Sequence, residues 1–275
     1  MIRIFIAGTA RSGTTLLQSM IASHPKIISV PEVHYFDKIL YKQKLLRLFN
    51  VIKSKDATVV KKFFNDIEPA LNLSAFDFNL LYSKKKWAEK LITTLDQLAD
   101  LNNCIGWVEK TPLNLYYLDI IDKSIKDVKI IHILRNPEDN IASLFQAGRE
   151  NKKFFKQDNL EKAIKRYIKD YKQHCKYKTK NNHYFISYEL LIENPKNVLI
   201  DLCNFLEISF SDKMLDYTDS AKSVINQSEK WKSNNLNPEL KKSDKKNTIF
   251  SKEELKTIRE KTSFININDL ISKPL

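Results

Sequence analysis

Apolar residues fall in short runs along this chain. Ile2 to Ala7, Ile27 to Val30, Cys104 to Val108, Asp127 to Arg135 and His183 to Ser187 each have strand length. Runs of this kind predict strands covered on both faces, as in a parallel sheet. Between them, apolar positions recur at helical spacing. Leu16, Leu17, Met20 and Ile21 mark a helix from Thr14 to about Ser23, and Trp87, Leu91, Leu95 and Leu98 mark another. Ile164, Tyr167, Ile168 and Tyr171 mark a long basic helix from about Asn159 to Lys178. Pro112, Pro137 and Pro195 stand where helices open, because proline loses nothing at the first helical position. Ser251 and Glu254 form the capping box of a last helix. Strand and helix alternate through much of the chain. The expected fold is therefore α/β, a mostly parallel central sheet with helices on both faces, in a single domain over residues 1–275. Residues 38–103 read as a helical insertion after the second strand, and 220–250 as a mobile polar loop.

The first strand runs into the first helix through Gly8-Thr9-Ala10-Arg11-Ser12-Gly13-Thr14-Thr15. A strand, a glycine-bounded turn and a helix N-terminus together make an anion site, because the first amides of the helix lack partners and its dipole is positive there. The chain has four glycines, and two of them bound this turn. The spacing is that of a P-loop, so the sheet is P-loop-like, but Thr14 stands where ATP-using loops carry lysine. The cation is instead Arg11, inside the loop, whose fork suits a tetrahedral oxyanion. A phosphate-like ligand other than Mg-ATP fits this arrangement, and a P-loop kinase is the weaker alternative.

Three further segments carry candidate chemistry. Glu32 lies in Pro-Glu-Val-His-Tyr-Phe-Asp, one helix after the loop. A carboxylate among aromatics can have a raised pKa and act as a general base, and His34 is the rival base. Lys110, in Glu-Lys-Thr-Pro, ends a strand, where ligands bind in open α/β sheets. Arg135 ends another strand, and Ser143 lies one or two turns into the next helix, so the pair can converge on one phosphate. His132, inside an apolar strand, reads as a core or pocket-edge histidine.

The loop Arg-Ser-Gly-Thr-Thr-Leu-Leu resembles the phosphosulfate loop of the PAPS-dependent sulfotransferase superfamily, in the form of its tyrosylprotein and carbohydrate branches. PAPS is 3'-phosphoadenosine 5'-phosphosulfate. The run Arg135-Asn-Pro-Glu-Asp-x-x-x-Ser143 is similar to that family's 3'-phosphate motif, and the Glu32 segment resembles one in glycosaminoglycan sulfotransferases. The resemblance implies sulfonyl transfer from PAPS to a hydroxyl of a carbohydrate, a peptide tyrosine or another acceptor, releasing PAP (adenosine 3',5'-bisphosphate). It makes Glu32 the base and gives Lys110 and Arg11 the charge that develops on transfer. It assigns Arg11, Ser12, Gly13, Thr14, Thr15, Arg135 and Ser143 to the cofactor. It adds Tyr188, from a run similar to the family's Tyr-Glu-Asp-Leu-x-x-x-Pro, near the adenine, and Lys232, from Ser-Glu-Lys-Trp-Lys, over the cofactor. A PAPS binder without catalysis is a further alternative.

Composition narrows this picture. At 275 residues, 43% hydrophobic and 29% charged, the chain is globular and can bury a sizeable core. Its net charge is +13, from 46 basic and 33 acidic residues, which suits an anionic ligand. The lysines are scattered rather than striped, so no nucleic-acid partner is expected. Cys104, Cys175 and Cys203 form no C-x-x-C pair, which points to reduced thiols, a cytoplasmic setting and no metal site. No apolar run reaches the ~18 residues of a membrane span.

Overall fold

The computed structural model describes residues 1–40, 51–52, 57–71, 82–152, 155–225 and 245–272. In chain order the elements are β1 (Ile2–Gly8), α1 (Thr14–Ala22), β2 (Ile27–Ser29), α2 (Tyr35–Leu40), β3 (Val51–Ile52), α3 (Ala57–Ile67), β4 (Tyr82–Ser83) and α4 (Lys84–Leu101). They continue with β5 (Gly106–Lys110), a 3-10 helix (Pro112–Tyr116), α5 (Leu118–Ser124), β6 (Val128–Leu134), α6 (Pro137–Glu150) and α7 (Leu160–Cys175). The last are β7 (His183–Ser187), α8 (Tyr188–Glu193), α9 (Pro195–Leu206), α10 (Thr218–Val224), α11 (Lys245–Ile249) and α12 (Lys252–Thr262).

The main sheet has five strands in the order β2-β5-β1-β6-β7, and every pair is parallel. Side chains alternate across it, so β1 serves both faces. Ile4 and Ile6 join Leu16, Leu17, Met20 and Ile21 of α1 and Leu199, Leu202 and Leu206 of α9 in one core. Phe5 and Ala7 join Trp107, Trp87, Leu91, Leu95 and Leu98 in the other, under α4 and α5. Covered on both faces, the strands are mostly apolar, and this is why their runs stand out in the sequence. The sheet is the α/β architecture expected, with helices on both sides.

Two segments differ from the expectation. Residues 38–103 are not helical throughout, since β3 and β4 pair antiparallel within them. Much of this segment also serves as ordinary sheet cover: Trp87, Leu91, Leu95 and Leu98 of α4 are buried in the core. Within 220–250, the described residues include α11 and most of α10, so those parts are helical. Ala221 and Val224 of α10 are buried, and this packing holds that helix against the core.

Register decides where the site forms. Ile6 lies beside Lys110, and Gly8 lies beside Ile133, two residues before Arg135. The loop after β1, the end of β5 and the end of β6 therefore open at one edge of the sheet, outside the strand C-termini.

Candidate active site

Gly13 caps α1 in the left-handed conformation, with φ 95°, and offers no side chain to the helix amides. A Cβ at this position would stand 2.3 Å from the Tyr188 ring, so glycine is required by both backbone and space. Ser12 N–H donates to Thr9 C=O (3.1 Å), which closes the loop, and the first amides of α1 are left to a ligand. Arg11 also has positive φ, 70°, which turns its side chain back over α6. There Arg11 Nε donates to Ser143 Oγ at 3.3 Å.

Arg135 reaches the same place from β6. Its Nη1 donates to Arg11 C=O at 3.1 Å, and its guanidinium stacks on the Tyr188 ring 4.6 Å away. Two contacts hold the strand end in place: Tyr167 O–H donates to Arg135 C=O (2.7 Å), and Asn136 N–H donates to Glu189 Oε1 (2.9 Å). Burial and the neighbouring Arg135 lower the proton affinity of Arg11. Lys245, at the start of α11, is likewise pushed down by burial and by Arg11 and Arg135. Ser12 Oγ and Arg135 Nε are buried without a hydrogen-bond partner among the described residues. Crowded cations and orphaned donors around helix amides are what a site for a multiply charged phosphate presents.

The second half of the site lies across the loop. Lys110, 1% exposed, donates to Thr15 Oγ1 at 3.2 Å and forms an ion pair with Glu32 Oε1. The other oxygen, Glu32 Oε2, lies 3.3 Å from His34 Nε2, and His34 Nδ1 lies 3.4 Å from Asp37 Oδ1. Burial would lower the His34 pKa, but the contacts with Asp37 and Glu32 outweigh it and push it up to about 9. His34 is thus an imidazolium at neutral pH, held at φ 54° by its N–H bond to Thr111 Oγ1 (3.3 Å). Thr111 Oγ1 in turn donates to Glu109 Oε1 at 2.7 Å, and Asn114 Nδ2 donates to the other Glu109 oxygen. Burial raises Glu109 to about 7, against the lowering effect of Thr111 and Lys110.

The residues named from sequence therefore fall in two groups. Arg11, Ser12, Gly13, Arg135, Ser143 and Tyr188 gather at the β6 side, while Thr15, Lys110 and Glu32 gather at the β5 side with Thr14 opening the helix between them. Arg11 keeps company with Ser143 and Arg135. Tyr188 packs on Gly13 and Arg135. Lys232 lies outside the described residues. Lys245 was not foreseen, because it sits in a lysine-rich polar stretch where no motif marks one lysine above another. His132 is 0% exposed and hydrogen-bonds His174 and His183, away from the site. Among the described residues no group of His, Cys, Asp and Glu is placed to hold a metal ion, and no helix is long and apolar enough to cross a membrane.

A parallel sheet with a helix-capping anion loop at its C-terminal edge defines a P-loop-like α/β protein. The sequence profile of the sulfotransferase family matches residues 3–212, and the chain belongs to that family. An uncharacterized protein of Aquifex aeolicus (strain VF5) is 28% identical over 221 residues, 78% of this chain but 26% of the relative. The chain thus spans about a quarter of that protein. Solved structures share the fold, among them the following three. The sulfotransferase domain of the Synechococcus PCC 7002 olefin synthase has a TM-score of 0.59 at 19% identity, covering 97% of this chain and 96% of that one. The sulfotransferase domain from the curacin biosynthetic pathway has 0.57 at 22% identity, covering 94% and 96%. A mouse sulfotransferase, SULT7A1, solved with PAP, has 0.53 at 17% identity, covering 96% and 83%.

Proposed function

We propose that this protein transfers the sulfonyl group of PAPS to a hydroxyl acceptor and releases PAP. The observation that carries the reading is Lys110 Nζ, buried between Thr15 of the loop and Glu32. It joins the anion loop to a carboxylate able to take a proton. Membership of the sulfotransferase family and the PAP in the mouse structure support the cofactor. The fit to this chain rests on its own orphaned donors, Ser12 Oγ and Arg135 Nε.

When bound, PAPS supplies an electrophilic sulfur on a good leaving group. Arg135, Ser143 and Lys245 hold the 3'-phosphate together with Arg11, which is drawn to Ser143 rather than to the developing charge that the resemblance implied for it, and the amides of Gly13, Thr14 and Thr15 with Ser12 Oγ hold the 5'-phosphate. Tyr188, packed on Arg135, keeps that guanidinium in place. Glu32 accepts the acceptor's proton as the hydroxyl oxygen attacks. Both Glu32 oxygens face cations here, so it becomes an effective base once Lys110 turns toward the sulfonyl group. Lys110 then meets the negative charge growing on the bridging oxygen, an interaction stronger in the transition state than before it. Positioning and charge do most of this work.

Thermal unfolding with PAP against ATP tests the cofactor. PAP at ~100 times its Kd stabilises by roughly 2.7 kcal/mol, and ATP gives a much smaller shift, because the cations at Ser143 and Arg135 serve a 3'-phosphate. Equal shifts overturn the reading.

A further inference from the structure

One group of cations at this edge is not among those proposed above to hold the cofactor. Asp170 of α7 is 0% exposed and is bound from three directions. Arg166 Nε donates to both of its oxygens (2.9 and 2.8 Å), Tyr116 O–H donates to Oδ1, and the Thr9 hydroxyl hydrogen-bonds it as well. These partners come from α7, from the helix that follows Lys110 and from the anion loop. The carboxylate is therefore used up internally, and it fixes the Arg166 fork by one edge only. The guanidinium lies 5.5 Å from the Tyr116 ring centre, and Lys169 Nζ lies 4.5 Å from it. Apart from the bond at Nε, the Arg166 fork has no hydrogen-bond partner among the described residues, and Lys169 pairs with no carboxylate there. Elsewhere on α7 lysines do pair, Lys162 with Asp158 and Lys165 with Glu161.

The place matters as much as the charge. Tyr116 ends the helix that begins two residues after Lys110, and this helix touches both α2, which follows Glu32, and α7. At about 2 Å of rise per 3-10 residue, Tyr116 stands at most roughly 15 Å from Lys110. A molecule whose hydroxyl meets Glu32 can reach the Tyr116 ring. The phosphates of PAPS are met on the other side of the loop, by Arg135, Ser143 and Arg11.

We propose that Arg166 and Lys169, gathered at Tyr116, form an anion subsite for the acceptor, so that the molecule sulfonated here carries a carboxylate, sulfate or phosphate group. This rests on the sulfotransferase reading. An arginine with one edge anchored and the other open suits a planar or tetrahedral oxyanion, and Lys169 supplies the charge that Asp170 cancels on Arg166. Binding here places the acceptor and leaves the reacting atoms alone, so its loss appears in KM rather than kcat.

The test uses matched acceptors, oligogalacturonate for carboxylate, a chondroitin sulfate oligosaccharide for sulfate, a phosphorylated oligomannoside for phosphate and a neutral oligogalactoside. Binding to the full chain in the presence of PAP is measured by titration, and transfer from labelled PAPS is measured alongside. The expected result is that at least one anionic probe binds about tenfold or more tightly than the neutral one, and that added salt erodes the difference. Lys169→Glu abolishes that preference, Lys169→Arg retains it, and both bind PAP as the parent does. The subsite is overturned if neutral and anionic probes bind alike, or if Lys169→Glu leaves the preference intact. Failure to bind PAP instead overturns the sulfotransferase reading, and the titration of the anionic probes without PAP still reads the subsite.

Discussion

At the scale of single residues, Gly13 and Glu109 carry the sharpest consequences. Gly13→Ala forces a left-handed alanine and drives a Cβ into the Tyr188 ring. The backbone alone costs about 1–2 kcal/mol. Displacing Tyr188 also frees Arg135, so PAP affinity should fall along with the melting temperature, and an unchanged Kd for PAP contradicts this packing. Glu109 touches neither proposed reactant. Its carboxylate accepts from Thr111 and Asn114, and Thr111 holds the His34 backbone. Glu109→Ala leaves two buried donors unpaired, at about 1–3 kcal/mol each. Chemical denaturation should show a loss of that order. Local motifs made part of this legible in the sequence. The glycine turn, Arg135 and Ser143 are each read within a dozen residues. The pairing of Glu32 with Lys110 is not, because 78 positions separate them and only the sheet order brings them together.

At the scale of elements, β6, β7 and α7 are joined by a chain of imidazoles. His132 Nδ1 lies 2.7 Å from His174 Nδ1, and His132 Nε2 lies 2.8 Å from His183 Nδ1. His183 Nε2 faces Asp122 Oδ1 at 3.6 Å, beside Lys180. Burial holds all three neutral, with His132 well below its ordinary value, His174 near 3 and His183 near 4. In the unfolded chain each binds a proton near pH ~6.5. The unfolded state therefore binds more protons as pH falls below that point, and stability contributed by the neutral chain is lost from there downward. His34 has the opposite sign. Its raised pKa gives stability that is complete below ~6.5 and is lost as pH rises through about 9. Urea unfolding should thus be most difficult near neutral pH and weaken toward pH ~5 by roughly 1 kcal/mol per pH unit for each imidazole, less a similar gain from Glu109, whose carboxyl, raised to about 7, stabilises the fold as pH falls. A flat profile between about pH 7 and about pH 5 contradicts this. Sequence marked His132 as a core residue, and its place in an apolar strand was sufficient for that. The chain of three was hidden because its members belong to three different elements.

At the scale of the whole molecule, the strands of the parallel sheet were readable because strands covered on both faces are mostly apolar, while their order was not. The surroundings of the site were harder to read. Lys245, Arg166, Lys169 and Asp170 lie in basic helical or polar stretches where composition gives no ranking. Tertiary contact distinguishes them, through Arg11, Tyr116 and Thr9. The net charge of +13 is consistent with a site that gathers anions, yet its lysines are spread over the chain, and what counts is which few are left unpaired at one edge of the sheet. The two halves of that edge should also separate by experiment. Arg135→Ala should weaken PAPS binding by on the order of 2–4 kcal/mol, with turnover largely recovered at saturation, because the 3'-phosphate does not change during the reaction. Lys110→Ala has the more direct bearing on the account, because its charge is placed for the transition state. The measurement is the rate of sulfonyl transfer from labelled PAPS by Lys110→Ala as PAPS is raised to saturation. The account predicts turnover at least ~100-fold below the parent at every PAPS concentration, with PAPS affinity nearly unchanged. Recovery of parental turnover at saturating PAPS would contradict it and leave Lys110 a binding residue only.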